Sequence, residues 1–151
     1  MKMTSDPNAS RKAWLSLLAK SPTVDVARHW ASLGLTPEHI VLRSPEVGGV
    51  MVRGRAGAVG AAFNLGEMTV TRASVKLSDG TIGHGYVEGR SKEQALQAAL
   101  VDALMHTDAS GTVEAGLLAP LREAMSARQT ARAAKAAATK VEFFTMVRGE
   151  D

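Results

Sequence analysis

The dipeptide Asp79-Gly80 constrains this chain more than any other feature. It lies between two β-prone runs in Gly66–Arg90, GEMTVTRASVKLSDGTIGHGYVEGR. Asp-Gly in that setting signals a two-residue hairpin, because a type I′ turn needs φ > 0 at both central positions. Such a turn fixes the register: Ser78 opposes Thr81, Leu77 opposes Ile82, Val75 opposes His84 and Ala73 opposes Tyr86. One face then carries Thr71, Ala73, Val75, Leu77, Ile82, His84 and Tyr86, and is expected to meet the core. The other carries Val70, Arg72, Ser74, Lys76, Gly83, Gly85 and Val87. Its two glycines mark either a close approach by another backbone or a bulge.

The hairpin predicts strands three and four of a sheet. Ile40–Arg43 and Gly49–Arg55 read as strands one and two, with a turn at Pro45-Glu46 and Gly48-Gly49. The expected fold class is α+β, with an about four-stranded, mainly antiparallel sheet. One sheet face stays wet or is covered by a partner. Gly54–Gly66, GRAGAVGAAFNLG, spaces its first glycines as G-x-x-G-x-x-G and lacks Lys-Ser/Thr. It matches neither a dinucleotide fingerprint nor a phosphate loop, and reads as a flexible connection or bulged strand.

Helices flank this sheet. Ser10 is expected to cap a helix over Arg11–Ala19, with Trp14, Leu17 and Leu18 on one stripe. Ser21-Pro22 restarts a helix, with Ser21 at the N-cap, Asp25 in the first turn and Gly34 past the end. Val26, Trp30 and Leu33 form its apolar face, so this N-terminal helical pair uses both tryptophans as core anchors. Ser91 caps a packed amphipathic helix over Lys92–His106, on which Leu96, Ala99, Leu100, Ala103 and Leu104 form the clearest stripe. Ala99 and Ala103 would let it approach the sheet closely. Val113–Ala119 gives a helical turn or two that Pro120 breaks or kinks. A long Ala-rich C-terminal helix spans Leu121–Lys140, with Leu121 and Met125 its large apolar residues.

At 151 residues the chain reads as a single domain over 1–151, with residues 1–9 frayed. It is long enough to bury a core without staples. Zero cysteines exclude disulfides and thiolate metal sites and fit a cytoplasmic location. No apolar h-region opens the sequence, and no run is long enough to span a membrane. The excess positive charge sits in Leu121–Lys140, where Arg122, Arg128, Arg132, Lys135 and Lys140 face Glu123 alone. That helix could bind nucleic acid, but it lacks interleaved aromatics and a helix-turn-helix pattern, which favours protein contact.

Chemistry is sparse. His29, His39, His84 and His106 have no metal-ligand spacing, and no Ser/His/Asp arrangement is readable. The acids Glu67, Asp79, Glu88 and Asp102 are scattered, and Asp79 is explained by its turn. His84 reads first as a neutral, hydrogen-bonded core or rim histidine. Arg72 and Glu88 read as members of cross-strand or inter-subunit ion pairs. Arg90 and Arg148 carry guanidinium groups suited to phosphate oxygens. Arg72, His84 and Arg90 are the catalytic candidates. Phe143, Phe144, Met146 and Arg148 form a dense group near the end, so residues 121–149 are expected to bind the chain's own core or a partner.

Two separated blocks carry a family resemblance: Gly66–Met105, and the ending VEFFTMVRG over Val141–Gly149. Within them stand Thr71-Arg72-Ala73, Asp79-Gly80-Thr81, Val87-Glu88-Gly89-Arg90 and Asp102-Ala103-Leu104-Met105. The chain resembles the G subunits of the carbon–phosphorus lyase core complex, the PhnG family. His84-Gly85 and the Gly54–Gly60 loop match no fixed residues of that family. The resemblance implies an accessory subunit in phosphonate degradation, with H, I and J subunits as partners in two copies each. An ATP-binding-cassette-like L protein is the functional partner. The complex implied is a transferase, ribose 1-methylphosphonate 5-triphosphate synthase, which converts ATP and an alkylphosphonate to ribose 1-alkylphosphonate 5-triphosphate and adenine. The I subunit would hold the nucleosidase centre. No cofactor is implied in this chain; ATP is a substrate of the complex, and an iron–sulfur cluster with S-adenosylmethionine belongs to the J subunit.

Overall fold

The computed structural model describes residues 8–57 and 59–141. The elements run α1 (Ala9–Lys20), α2 (Thr23–Leu33), β1 (His39–Arg55), β2 (Ala62–Leu77), β3 (Ile82–Glu88), α3 (Lys92–Leu104), α4 (Ser110–Val113), a π-turn (Glu114–Leu118) and α5 (Ala119–Ala138). The class is α+β, as the sequence implies, but the antiparallel sheet has three strands, in the order β1-β2-β3.

The two expected first strands are one. The turn expected at Pro45-Glu46 and Gly48-Gly49 does not form. β1 runs straight through it, absorbing extra residues as register shifts between Val41 and Arg43 and between Arg43 and Glu46. Pro45 lacks an amide donor, and it is tolerated because β1 is an edge strand and bulged there. Gly54–Gly66 turns the chain from β1 into β2, and it holds a further shift opposite Val52 and Arg53.

The β2–β3 hairpin forms where expected, but with a different turn. The Gly80 amide donates to the Leu77 carbonyl at 3.0 Å, and the Leu77 amide to the Thr81 carbonyl at 2.8 Å. Gly80 has φ 92°, and no residue other than glycine has positive φ among those described. The loop is therefore Ser78-Asp79-Gly80, three residues ending in a left-handed glycine, and not type I′. The extra loop residue moves the register by one: Ser74 opposes His84, Ala73 opposes Gly85, Arg72 opposes Tyr86 and Val75 opposes Gly83. A one-residue slip sends every β3 side chain to the other face. Thr71, Ala73, Val75 and Leu77 meet the core as expected, but with Gly83, Gly85 and Val87 beside them. Ile82, His84 and Tyr86, expected inside, are exposed.

The glycines mark a close approach. A Cβ on Gly83 would collide with the Ala99 carbonyl and lie 2.5 Å from the Ala103 amide; one on Gly85 would collide with the Ala95 carbonyl and lie 2.9 Å from the Ala99 amide. Ala95, Ala99 and Ala103 repeat every four residues, one row of α3 laid on bare strand. This lets α3 become the hub of the core, with every residue from Gln97 to Leu104 buried. Ser91 caps it as expected, accepting from the Gln94 amide at 3.1 Å.

α1 and α2 both pack on α3. Leu18 and Val26 are fully buried, while Trp14 and Trp30 pack at the margin of the core. The caps differ from expectation. α1 starts at Ala9, after Asn8, so Ser10 lies within the helix. Ser21 closes α1, its hydroxyl donating to the Leu17 carbonyl at 2.7 Å, and Pro22 takes the N-cap of α2. Gly34 ends α2 in the left-handed region at φ 63°, as expected. Buried Gln94 ties these helices to α3: its amide donates to the carbonyls of Leu18 (3.0 Å) and Ser21 (2.8 Å), and its oxygen accepts from Thr23 (2.7 Å).

Pro120 does not break the C-terminal helix. The wider π-turn at Glu114–Leu118 precedes it, and the helix continues to Ala138. Leu117, Leu118 and Leu121 are fully buried, whereas every residue from Ser126 to Val141 is exposed. Among the described residues no helix is long and apolar enough to cross a membrane.

Candidate functional site

Two polar constellations stand out, one inside and one on the surface. The inner one is centred on Asp102, which is fully buried in the last turn of α3. Arg11 of α1 donates to it twice, from Nε at 3.0 Å and from the guanidinium tip at 2.7 Å. Trp14 Nε1 donates at 2.9 Å and the His84 backbone amide at 2.8 Å. Burial pushes the Asp102 carboxyl up, but Arg11, the His84 amide and Trp14 together pull it below its ordinary range. In return, the Asp102 hydrogen bonds raise Arg11 despite its own partial burial. Trp14 also meets the ring of His106 edge-on, with centroids 5.7 Å apart. With four donors on its two oxygens, Asp102 has no free lone pair aimed at a ligand. It joins α1, α3 and β3.

The outer constellation lies on the sheet face opposite α3. Glu46 of β1 accepts from Arg72 Nε at 2.6 Å and from Arg43 at 2.8 Å. Arg72, then Arg43, hold the Glu46 carboxyl below its ordinary value. Further along the face, Ser74 Oγ and His84 Nδ1 share a hydrogen bond of 2.9 Å. A shallow cavity of about 160 Å³ opens between β1 and Tyr86, lined by Glu46, Val50, Val70 and Arg72 among others. A larger open depression of about 470 Å³ lies along the start of α5, beside Pro120 and Arg122. It gathers no converging charged groups beyond Arg122 and Glu123.

Of the catalytic candidates, the fold brings together Arg72 and His84, neighbours on the outer face. Arg72 is in a cross-strand ion pair, as its mid-strand position implies, with Glu46 rather than Glu88. His84 is a surface residue on Ser74, not a core or rim histidine beside Val75. Arg90 stands apart and exposed, past the turn at Gly89. Phe143, Phe144, Met146 and Arg148 lie outside the described residues. The residue that sequence reasoning passes over is Asp102, which reads there as one of several scattered acids. Its signal is present: one carboxylate within the otherwise apolar run Ala98–Leu104.

The chain is similar to known proteins along almost its whole length. The family model described as phosphonate metabolism protein PhnG matches residues 9–149. A relative from Rhizobium meliloti (strain 1021), alpha-D-ribose 1-methylphosphonate 5-triphosphate synthase subunit PhnG, is 42% identical over 143 residues. That alignment covers 95% of this chain and 92% of the relative.

Proposed function

The chain belongs to the PhnG family of phosphonate-metabolism proteins, and from that premise we propose that it is an accessory subunit of a ribose 1-methylphosphonate 5-triphosphate synthase. The complex exchanges the adenine of ATP for an alkylphosphonate at the ribose 1-carbon. The C–N glycosidic bond breaks, a C–O bond to a phosphonate oxygen forms, and adenine leaves with a proton. This chain holds no cofactor for that step and has no activity alone. Its partners are the H, I and J subunits, two copies of each, with the L protein acting in the same reaction; the nucleosidase centre belongs to I.

One observation carries this reading. α5 continues well beyond its last buried residue, Leu121, and from Ser126 to Val141 no residue is covered. Alanine-rich helices of that length are marginal in water on propensity alone. A partner would complete the burial that the chain's own core does not supply.

The test is co-expression with the H, I and J subunits, followed by size-exclusion chromatography and subunit stoichiometry, beside the chain alone. Recovery in equal copy number within one large complex is expected. A stable monomer or homodimer that never joins would overturn the reading.

A second reading is favoured by the outer sheet face, where Arg72 and His84 stand uncovered. On it, Arg72, His84 and Arg90 supply phosphate or phosphonate contacts to an active site shared with the I subunit. Alanine variants that assemble normally but lose turnover would support this reading over a purely structural role.

A further inference from the structure

A cavity of about 180 Å³ lies between the end of α1 and the middle of α5. Lys20 forms one wall, and Met125, Arg128, Gln129 and Arg132 form the other. Three of these five residues are cations and none is an acid. The other cavities differ: the depression beside Pro120 holds Glu123, the cavity under Tyr86 holds Glu46, and one beside Lys76 holds Glu38.

The elements around the cavity are equally poor in acid. α1 contains no Asp or Glu. α2 contains only Asp25, which is held by Arg28 at 3.1 Å and reached by Arg128 at 3.4 Å. α5 contains only Glu123, about 160° round the helix from Met125 at about 100° per residue. Lys20, Gln129 and Arg132 make no side-chain hydrogen bond or ion pair among the described residues. Arg128 and Arg132 are four positions apart, neighbours on one helix face, where like charges repel. An anion bridging them removes that repulsion. Met125 packs on the core and holds this part of α5 in place.

We propose that this cavity binds the oligophosphate group of a small molecule, with Arg128 and Arg132 gripping its oxygens and Lys20 closing on it from α1. Guanidinium forks match phosphate oxygens, and an ammonium adds a point charge. A single carboxylate would match one cation of the three; an oligophosphate carries charge for all. The volume equals about six waters at about 30 Å³ each. That admits a short chain of phosphoryl groups, and it is smaller than the roughly 300 Å³ or more that encloses a whole ligand. The base and sugar of a nucleotide would therefore stay outside. The alanine row of α5, Ala127, Ala131, Ala134 and Ala138, is centred about 140° round the helix from the cavity residues. A partner covering that row leaves the cavity open, so the proposal requires neither reading above.

The experiment titrates the full chain with tripolyphosphate by isothermal calorimetry at about 0.15 M salt, where long-range attraction is screened. One site with Kd below about 1 mM is expected, and weaker binding overturns the proposal. Arg128→Gln/Arg132→Gln is expected to bind about tenfold more weakly or worse, and Lys20→Gln about threefold. Arg53→Gln/Arg55→Gln removes the same charge from exposed positions on β1 and should bind as the parent does. All these variants should keep the parent's melting temperature, since the side chains changed are exposed.

Equal losses in the two double variants would show net charge acting in place of a site, and would overturn the proposal. Citrate binding as tightly as tripolyphosphate would make the ligand a polycarboxylate and overturn the choice of phosphate. A nucleoside triphosphate is expected to match tripolyphosphate; a tenfold gain would overturn the restriction to the phosphate chain. Tighter binding of a single-stranded oligonucleotide than of tripolyphosphate would make this face a nucleic-acid surface and overturn the small-molecule assignment. Failure of the chain to assemble with the other subunits would leave this proposal untouched, because the titration uses the chain alone.

Discussion

The backbone amide of His84 donates to the buried carboxylate of Asp102 at 2.8 Å across the margin of the sheet. The residues are 18 apart in sequence, and the bond takes a strand-edge donor that would otherwise invite another strand. Removing the carboxylate would strand Arg11, Trp14 and this amide together. Asp102→Ala is expected to lose about 3–5 kcal/mol of unfolding free energy, measured by urea denaturation. A loss under about 1 kcal/mol would show that the joint contributes little.

The same carboxyl sets an acid limb to stability. Its pKa is lowered in the fold, so its contribution is fully present above the ordinary carboxylate value and is lost as pH falls through the folded value. Stability should hold down to about pH 4 and fall below it. Asp102→Asn should flatten that limb while lowering stability at neutral pH; an unchanged limb would assign it to other carboxylates.

Gly83 and Gly85 should tolerate no side chain. Gly85→Ala drives a methyl into the Ala95 carbonyl, and a backbone atom cannot swing aside. The expected cost is about 3 kcal/mol or more, read from the melting curve. Gly66→Ala, with open space around it, is expected to stay within about 0.5 kcal/mol.

At the hairpin tip, Gly80→Ala places a side chain at φ 92° and should cost about 1–3 kcal/mol. Asp79 accepts from the Thr81 amide at 2.8 Å, so Asp79→Ala should cost less than Gly80→Ala. The reverse order in thermal melts would point to a different turn.

The exposed half of α5 allows separation of folding from assembly. The variant Ala127→Glu/Ala131→Glu/Ala134→Glu should melt within a few degrees of the parent, because every residue from Ser126 to Val141 is exposed. It should fail to enter the complex in size-exclusion chromatography. Normal entry would mean that this row of α5 takes no part in assembly.

Much of the fold is legible in the sequence because its signals are local. Ser91 at the cap of α3, Gly34 past α2 and the core stripes of α1 to α3 all follow from spacing within a turn or two. The slip at Asp79-Gly80 arises because Asp-Gly also fits a three-residue loop, so the dipeptide fixes the turn's place without its length. Gly83 and Gly85, spaced by two, match Ala95, Ala99 and Ala103, spaced by four; that pairing selects the buried face, but only once helix and strand are stacked. The bulges at Pro45 have no local sign, since a turn and a kinked edge strand use the same residues. Asp102 is least legible of all. Its partner Arg11 lies 91 positions away, and no local pattern links them.

The π-turn at Glu114–Leu118 has a bearing on how the C-terminal helix is aimed. A wide turn holds one more residue than an α-turn, and each residue advances a helix by about 100°. That single surplus residue fixes the azimuth at which Ala127, Ala131, Ala134 and Ala138 point. Deleting one residue there would rotate that row by more than a quarter turn while leaving its composition and helicity intact. Orientation of α5 is thus a variable that evolution can dial independently of the strength of the helix or the identity of its surface.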